Sequence, residues 1–387
     1  MTGPLRDTAD IAVVGAGPAG LAAAIVLADL GYDTVTVAPG RPADERTSAL
    51  LAGSIAFLER IGVWPRAAGA AAPMRSLRIV DATHRLIRAP EVTFHAAEIG
   101  LDAFGYNIAN TALVAALEAE FAARGLRRLD ATVTRVQAAD GTAVAALEGG
   151  GEIAARLIVA ADGRRSAVRE SVGIPVGAWR YDQAALVVNL RHTLPHEDTS
   201  TEFHTEAGPF TLVPLPGHKS SLVWVSRPAE AERRATLSDA ALAAEIEARS
   251  ASILGEIAID GRRQVFPLSG MNAARFGAGR AVLVGEAAHL FPPIGAQGLN
   301  LGYRDVADLG RVLAGRRGDP GAPDRLAAYD RARRADVLTR TAAVDALNRT
   351  LLTGFLPVQG LRGLGLFLLD RVPALRRALM RQGVAAA

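Results

Sequence analysis

A chain of 387 residues, half of them hydrophobic, can bury one large core and carry a smaller one beside it. Basic and acidic residues nearly balance at a net charge of +3, and aromatics make up only 5%, which argues against nucleic acid, where basic patches interleave with stacking rings. With no cysteine in the sequence, disulfides, thiolate nucleophiles, Fe–S clusters and cysteine zinc sites are excluded.

The first residues place Arg6, Asp7 and Asp10 before one apolar strand and lack the basic segment, long apolar run and cleavage site of a secretory signal. No apolar run reaches the roughly 18 residues of a membrane span, so the expectation is a cytoplasmic chain, soluble or attached to a surface.

Residues 11–15, IAVVG, read as a buried strand that runs into GAGPAG and an alanine-rich helix over 21–30. In that turn Gly15, Gly17, Ala19 and Gly20 let backbone approach a pyrophosphate, seat the helix closely on the strand and aim its N-terminus at the anion. The pattern predicts dinucleotide binding, with an ordinary tight turn as the alternative. The next strand, 34–37, ends in Ala38-Pro39-Gly40, where an acid would normally hold the adenosine ribose. That acid is absent; Asp44 or Glu45 could reach back, or water and backbone could serve.

Residues 41–51, RPADERTSALL, place a charged loop before a helix over 54–61. Arg46, Thr47 and Ser48 can touch a ligand near the ring end of a cofactor, or form a solvated cluster. The stretch 76–94 is strand-like with turns at Asp81 and Pro90, Asn110 opens a helix through Leu113, Leu117 and Phe121, and 126–136 with 142–147 read as a hairpin. An apolar strand over 154–159 leads into AADGRRSAVRE, where Asp162 stands beside Gly163 and Arg164, Arg165, Ser166 and Arg169 enter a helix. Asp162 can orient a phosphate-facing turn or cap the helix, and the arginines can neutralise pyrophosphate or a pyridine-nucleotide phosphate.

Short β patterns fill 182–225, with Phe203, Phe210 and Trp224 as candidates to line a cavity or to fill a core. A helix over 238–254 and a strand over 263–268 follow. The stretch from Val284, VGEAAHLFPPIGAQGLNLGYRDV, then reads as a strand end, a loop rich in Gly and Pro, and a helix start. Such a loop can lay backbone against a flat or anionic ligand, and the helix start at Asn300, Gly302, Asp305 and Asp308 turns a positive dipole end towards it. A long helix over 326–352 carries Arg331, Arg333, Arg334 and Arg340, read as a solvated face. The tail alternates apolar patches with Arg362, Arg371, Arg376, Arg377 and Arg381, a pattern that suits a membrane surface, a dimer contact or closure over the core.

GAGPAG, DGRRSAVR and GEAAH followed by PPIGAQGLNLG occur in a fixed order. Together they resemble the single-component flavoprotein aromatic hydroxylases, and PPIGAQGLNLGYRDV is most similar to their ubiquinone-biosynthesis branch. The resemblance implies an α/β fold: a glutathione-reductase-like Rossmann FAD-binding domain over 1–75, 97–180 and 265–325, an inserted α+β substrate domain over 76–96 and 181–264, and a helical C-terminal region over 326–387. It implies FAD held at Gly15, Gly17, Ala19 and Gly20, with Arg46 and Asn110 nearby and Asp162 and Gly163 in a motif shared with NADH or NADPH contacts. Gly285 and Glu286 belong at the ribityl chain, Gly298, Leu299 and Asn300 at the pyrimidine end of the ring, and Pro293 beside the ring on the substrate side. His289 is structural in this family.

The implied chemistry is reduction by NAD(P)H, a C4a-hydroperoxyflavin and hydroxylation of a polyprenylated phenol, with no metal and no demanded side-chain base. The implied surroundings are a ubiquinone-biosynthesis complex on the inner face of the cell membrane and a homodimer. Two residues depart from the pattern, Ala38 in place of the ribose acid and Glu286 in place of Asp. A dehydrogenase or reductase of a prenyl lipid and a non-catalytic FAD-binding assembly protein are the competing expectations.

Overall fold

The computed structural model describes residues 6–40, 44–83, 88–292, 297–315, 318–352 and 371–384. Its first strand, Arg6–Val14, lies between Glu152–Ala160 and Thr34–Val37, parallel to both. Arg127–Leu129 extends the sheet beyond Thr34–Val37, and Ala281–Leu283 joins the far side of Glu152–Ala160. Ile11 to Val14 are apolar and buried, as expected of a parallel strand covered on both faces. The helix Pro18–Asp29 starts with Pro at its N-terminal end and buries most of its length, where the missing proline N–H costs nothing. It packs against the helices Asn110–Ala123 and Gln297–Leu313.

The hairpin expected over 126–136 and 142–147 instead joins Val133–Ala139 to Thr142–Leu147. Arg127–Leu129 belongs to the parallel sheet, because Ala38 N donates to Leu129 O and carries the pairing past the end of the neighbouring strand.

A second eight-stranded sheet runs in the order His289–Leu290, Ile257–Ala273, Val176–His192, Lys219–Ser226, Gly208–Leu215, Thr199–Thr205, Ser76–Asp81, Val92–His95. All neighbours are antiparallel except Thr199–Thr205 with Ser76–Asp81. The strands Val176–His192 and Ile257–Ala273 are each 17 residues long, where shorter segments were expected. Breaks in register between Arg180 and Ala184 and between Val187 and Asn189 let so long a pair bend.

One face of this sheet is covered by the helices Pro228–Ala235 and Asp239–Arg249. Phe203, Phe210 and Trp224 belong to that face, packed with Leu186, Leu222 and Ile246. All three fill a core, and Trp224 also lines an open pocket with Thr205, Arg234, Glu245 and Arg249. The opposite face carries Ala185, Val187, Val223, Val225 and Phe266, which are cross-strand partners or alternate along one strand. There Val187, Val223 and Phe266 are only half-buried.

A small sheet of Thr47–Leu51, Gly105–Ala109 and Ala71–Pro73 faces that half-buried surface. Asn107 Nδ2 donates from it to Pro214 O at 2.9 Å and to Ser221 Oγ at 3.2 Å. The helix Pro323–Leu352 clamps the two large sheets: Tyr329 Oη donates to Leu283 O of the first at 2.8 Å, and Asn272 Nδ2 of the second donates to Thr341 Oγ1 at 3.0 Å. The helix Pro373–Val384 closes on the edge strand Val92–His95. Met380 enters a cluster with Val92, Phe94, Ala96 and Phe104, and Arg376 pairs with Glu98 at 2.6 Å. Among the described residues no helix is long and apolar enough to cross a membrane.

Candidate active site

The parallel strands end together, and their ends are stitched: Gly15 N to Val37 O at 2.8 Å, Ala161 N to Val14 O at 2.8 Å, Val284 N to Ala160 O at 2.9 Å. Each expected motif begins at one of these ends. Gly15 has φ +109°, and a Cβ there would overlap the Ala161 carbonyl, next to Asp162. Only glycine fits so close an approach. Gly17 caps the helix Pro18–Asp29 with no side chain across its end, which leaves the N–H groups of Ala19 and Gly20 open at a positive dipole end. A Cβ on Gly20 would overlap Gly15 O, while Ala19 Cβ sits where Cβ atoms on Gly285 and Gly302 would meet it at 3.4 and 3.5 Å. The early and late motifs therefore touch through their smallest residues.

Gly285, at φ +59°, turns the chain so that Glu286 is exposed while Ala287 is buried. The helix Gln297–Leu313 then presents the first-turn N–H groups of Gly298, Leu299 and Asn300, which have no partners within the helix. A Cβ on Gly298 would meet nothing within 4 Å. The Asn300 side chain is committed elsewhere: Oδ1 accepts from Leu51 N at 2.9 Å and Ser54 Oγ at 2.6 Å, and Nδ2 donates to Ala49 O at 2.9 Å. It fixes the helix start against the strand that follows Arg46. Pro293 lies outside the described residues.

Arg46 makes a two-point pair with Asp44, at 2.8 and 2.7 Å, and stands 5.4 Å from the centre of the Phe266 ring. Asp44 also accepts from Asn110 Nδ2 at 2.8 Å, and Asn110 Oδ1 accepts from Ser48 Oγ at 2.6 Å. Burial would raise the Asp44 carboxyl, but the Arg46 and Asn110 hydrogen bonds outweigh it and hold it below the ordinary carboxylate range. The Arg46 guanidinium is strengthened first by Asp44 and, more weakly, by the charge of Glu286, so Arg46 and Glu286 feel each other across the site. Arg46 thus borders the half-buried sheet face at Phe266, with Asn110 held beside it through Asp44.

Asp44, which could reach back to the ribose left without an acid at Ala38, is bonded to Arg46 and Asn110. The carboxylate at the tip of that strand is Asp130, which accepts from Gly40 N at 3.1 Å. No motif in the sequence flagged it.

Asp162 accepts from Val168 N at 3.3 Å, while Ser166 is the helix cap, accepting from Arg169 N at 2.9 Å. Burial pushes the Asp162 carboxyl above its ordinary range, and its Oδ1 is buried without a hydrogen-bond partner. A cofactor hydroxyl would satisfy such an oxygen. Gly163, at φ +83°, faces open space. Arg169 does not serve a phosphate: buried, it donates to Ala287 O at 2.9 Å and Arg164 O at 3.0 Å, bracing the late turn.

Arg333, expected on a solvated face, is 1% exposed and bonded to Asp305, Asp308 and Asp336. His289 gives Nε2 to Asp305 at 2.7 Å and is as buried as Arg333. Among the described residues no group of three or more His, Asp or Glu could hold a metal ion.

A glycine cradle at a helix start, a second helix packed on it through Ala19, Gly285 and Gly302, the Asp162 oxygen without a partner and a half-buried apolar sheet face fit a dinucleotide carrying a flat ring.

A match to the family described as FAD binding domain covers residues 8–343. The chain is 35% identical to the Ubiquinone hydroxylase UbiL of Rhodospirillum rubrum, over 99% of this chain and 91% of that protein. It is 32% identical to the 3-demethoxyubiquinol 3-hydroxylase of Escherichia coli, over 96% and 97%. Its fold is similar to that of p-nitrophenol 4-monooxygenase PnpA from Pseudomonas putida DLL-E4, with a TM-score of 0.80, 20% identity and 99% of each chain covered.

Proposed function

The chain belongs to the FAD-binding-domain family, and from that premise we propose that it hydroxylates the aromatic ring of a polyprenylated phenol in ubiquinone biosynthesis, using FAD, NADH or NADPH, and dioxygen. When bound, FAD supplies the redox chemistry, taking electrons from the nicotinamide and delivering them to dioxygen. This chain's residues supply placement and polarity.

The observation that carries the reading is the half-buried apolar face of Val187, Val223 and Phe266 set against Arg46, beside the helix start at Gly298. The N-terminus of Pro18–Asp29, seated tightly on the strand ends by Gly15 and Gly20, would hold the pyrophosphate. Gly163 and Asp162 would meet the adjoining sugar and phosphate groups. The N–H groups of Gly298, Leu299 and Asn300 would stabilise negative charge growing at the pyrimidine edge of the ring. Asn300 contributes there through its backbone only, since its side chain is bound to Ala49, Leu51 and Ser54. The valine face would exclude water and receive the phenol ring.

On the same reading the protein works at the inner face of the cell membrane. The helix Pro373–Val384 exposes Leu375 and Leu379, with Val372 just before it, and carries exposed Arg377 and Arg381, a surface suited to anionic lipid. Such a seat would bring the site to a substrate dissolved in the bilayer.

The test is purification, FAD titration and NADH or NADPH oxidation with and without prenylated phenols. Substrate-stimulated oxidation with a ring product one oxygen heavier supports the reading. Bound FAD with a reduced prenyl chain as product would make the protein a reductase, and bound FAD with no nicotinamide oxidation would make it a non-catalytic binder.

A further inference from the structure

Behind the turn at Gly285 lies a buried ion cluster that the reading above leaves without a task. Arg333, on the helix Pro323–Leu352, gives Nε to Asp305 Oδ1 at 2.6 Å and a terminal nitrogen to Asp308 at 2.7 Å and Asp336 at 3.0 Å. The other Asp305 oxygen accepts from Gly285 N at 2.8 Å and His289 Nε2 at 2.7 Å. Asp305 is 0% exposed. One carboxylate thus joins a guanidinium to the peptide N–H that opens the Glu286 turn, and it sits on the same helix whose first turn carries Gly298 to Asn300.

A buried pair of this kind is a poor way to add stability, since desolvation of the charges offsets their attraction. Here the second terminal nitrogen of Arg333 is also left without a hydrogen bond. What the pair does supply is direction. Burial would push the Asp305 carboxyl up, yet the attraction of His289 and Arg333 holds it below its ordinary range, so it stays a fixed acceptor for both Gly285 and His289.

Resting on the FAD reading, we infer that Arg333 is a positioning residue for the flavin: through Asp305 it locks the Glu286 turn to the helix start at Gly298. It touches neither cofactor nor substrate in this arrangement. Loss of Arg333 would free Asp305 to rotate, and the turn and helix start would no longer be held in one geometry towards the ring.

The experiment uses the full chain as Arg333→Gln and Arg333→Lys. It measures the FAD dissociation constant by flavin fluorescence, the midpoint potential of the bound flavin, and melting of the FAD-free protein. Arg333→Gln should weaken FAD binding by about tenfold or more and move the midpoint potential, and Arg333→Lys, which keeps the charge beside Asp305, should restore most of both. Asp305→Asn combined with Arg333→Gln should be no worse than the worse single variant, because the two act as one unit. An Arg333→Gln protein that melts lower but keeps wild-type FAD affinity and potential would reduce the residue to a structural part and overturn the inference. If Arg333→Gln does not fold, Asp305→Asn, which keeps the side-chain shape but loses the charge that Arg333 engages, takes its place, and unchanged affinity and potential in it overturn the inference equally. A wild-type chain that binds no FAD would overturn the functional reading and this inference together; binding by wild type with no effect of the variants overturns the inference alone.

Discussion

Gly302 packs so closely on Ala19 that a Cβ on the glycine would lie 3.5 Å from the alanine methyl and 3.5 Å from Gly285 Cα. This contact joins the two helix starts between which we place the cofactor. A methyl fits at that distance, so Gly302→Ala should fold and gain up to about 1 kcal/mol from helix propensity. Gly302→Leu should part the helices and lose FAD retention. Equal flavin content in the two purified variants would contradict this packing account.

Gly15 and Gly163 both have positive φ but stand in different surroundings. Gly15→Ala would drive a methyl into the Ala161 carbonyl and should give insoluble or FAD-free protein. Gly163→Ala meets open space and should cost only the backbone strain, about 1–2 kcal/mol. Gly17→Val, whose side chain would stand across the open helix start, should fold but retain no flavin absorbance. Chemical denaturation and the flavin spectrum separate these three outcomes.

The Asn300 side chain holds three partners, Ala49, Leu51 and the buried Ser54. Asn300→Ala leaves the Leu51 N–H unpaired and should lower stability by about 1–3 kcal/mol. Ser54→Ala removes one hydroxyl donor and should cost less. Denaturant melts of the two variants check the order.

His192 gives a pH dependence that the site does not share. Burial first, then the charges of His196 and His218, lower its basicity, against hydrogen bonds at the Leu194 and Lys219 backbone that raise it; Nδ1 lies 2.7 Å from Leu194 O and Nε2 3.0 Å from Ser220 Oγ. Above about pH 6.5 both folded and unfolded states carry a neutral imidazole and His192 adds no slope. As pH falls below that value the unfolded chain binds a proton that the folded one resists, so stability drops. Stability measured between pH 7.5 and 5.5 should fall less steeply in His192→Gln than in wild type.

The half-buried sheet face gives a prediction about substrate. Val223→Trp should raise KM for a prenylated phenol, or abolish turnover, while leaving the FAD dissociation constant within about twofold. Trp224→Phe, on the helix-covered face, should lower stability without a selective effect on KM. The two variants exchange these effects if the faces have been assigned the wrong way round.

The cradle at Gly15 to Gly20 was legible because strand, glycine spacing and helix are local in sequence. The link from Asn300 to Ser54 was not, since it joins residues 246 positions apart and Ser54 belongs to no motif. Alternation along 199–226 showed which side chains share a face but not which face the helices cover, so cavity and core stayed open for Phe203, Phe210 and Trp224; all three pack in the core under Leu242 and Ile246, and Trp224 also lines a pocket. Arg333 looked solvated because an arginine-rich helix usually is. It is buried because Asp305 and Asp308, on a helix some turns earlier in the chain, come to meet it. The acid missing at Ala38 was visible as an absence, whereas Asp130 at the neighbouring strand tip became apparent only from its bond to Gly40.

The central claim is an oxygen transfer to a phenol ring, and labelled dioxygen tests it most directly. Purified protein with FAD, NADH or NADPH and a prenylated phenol should yield a ring-hydroxylated product carrying one labelled oxygen atom, with the second recovered in water. Turnover that consumes nicotinamide and leaves the phenol free of label would contradict the account.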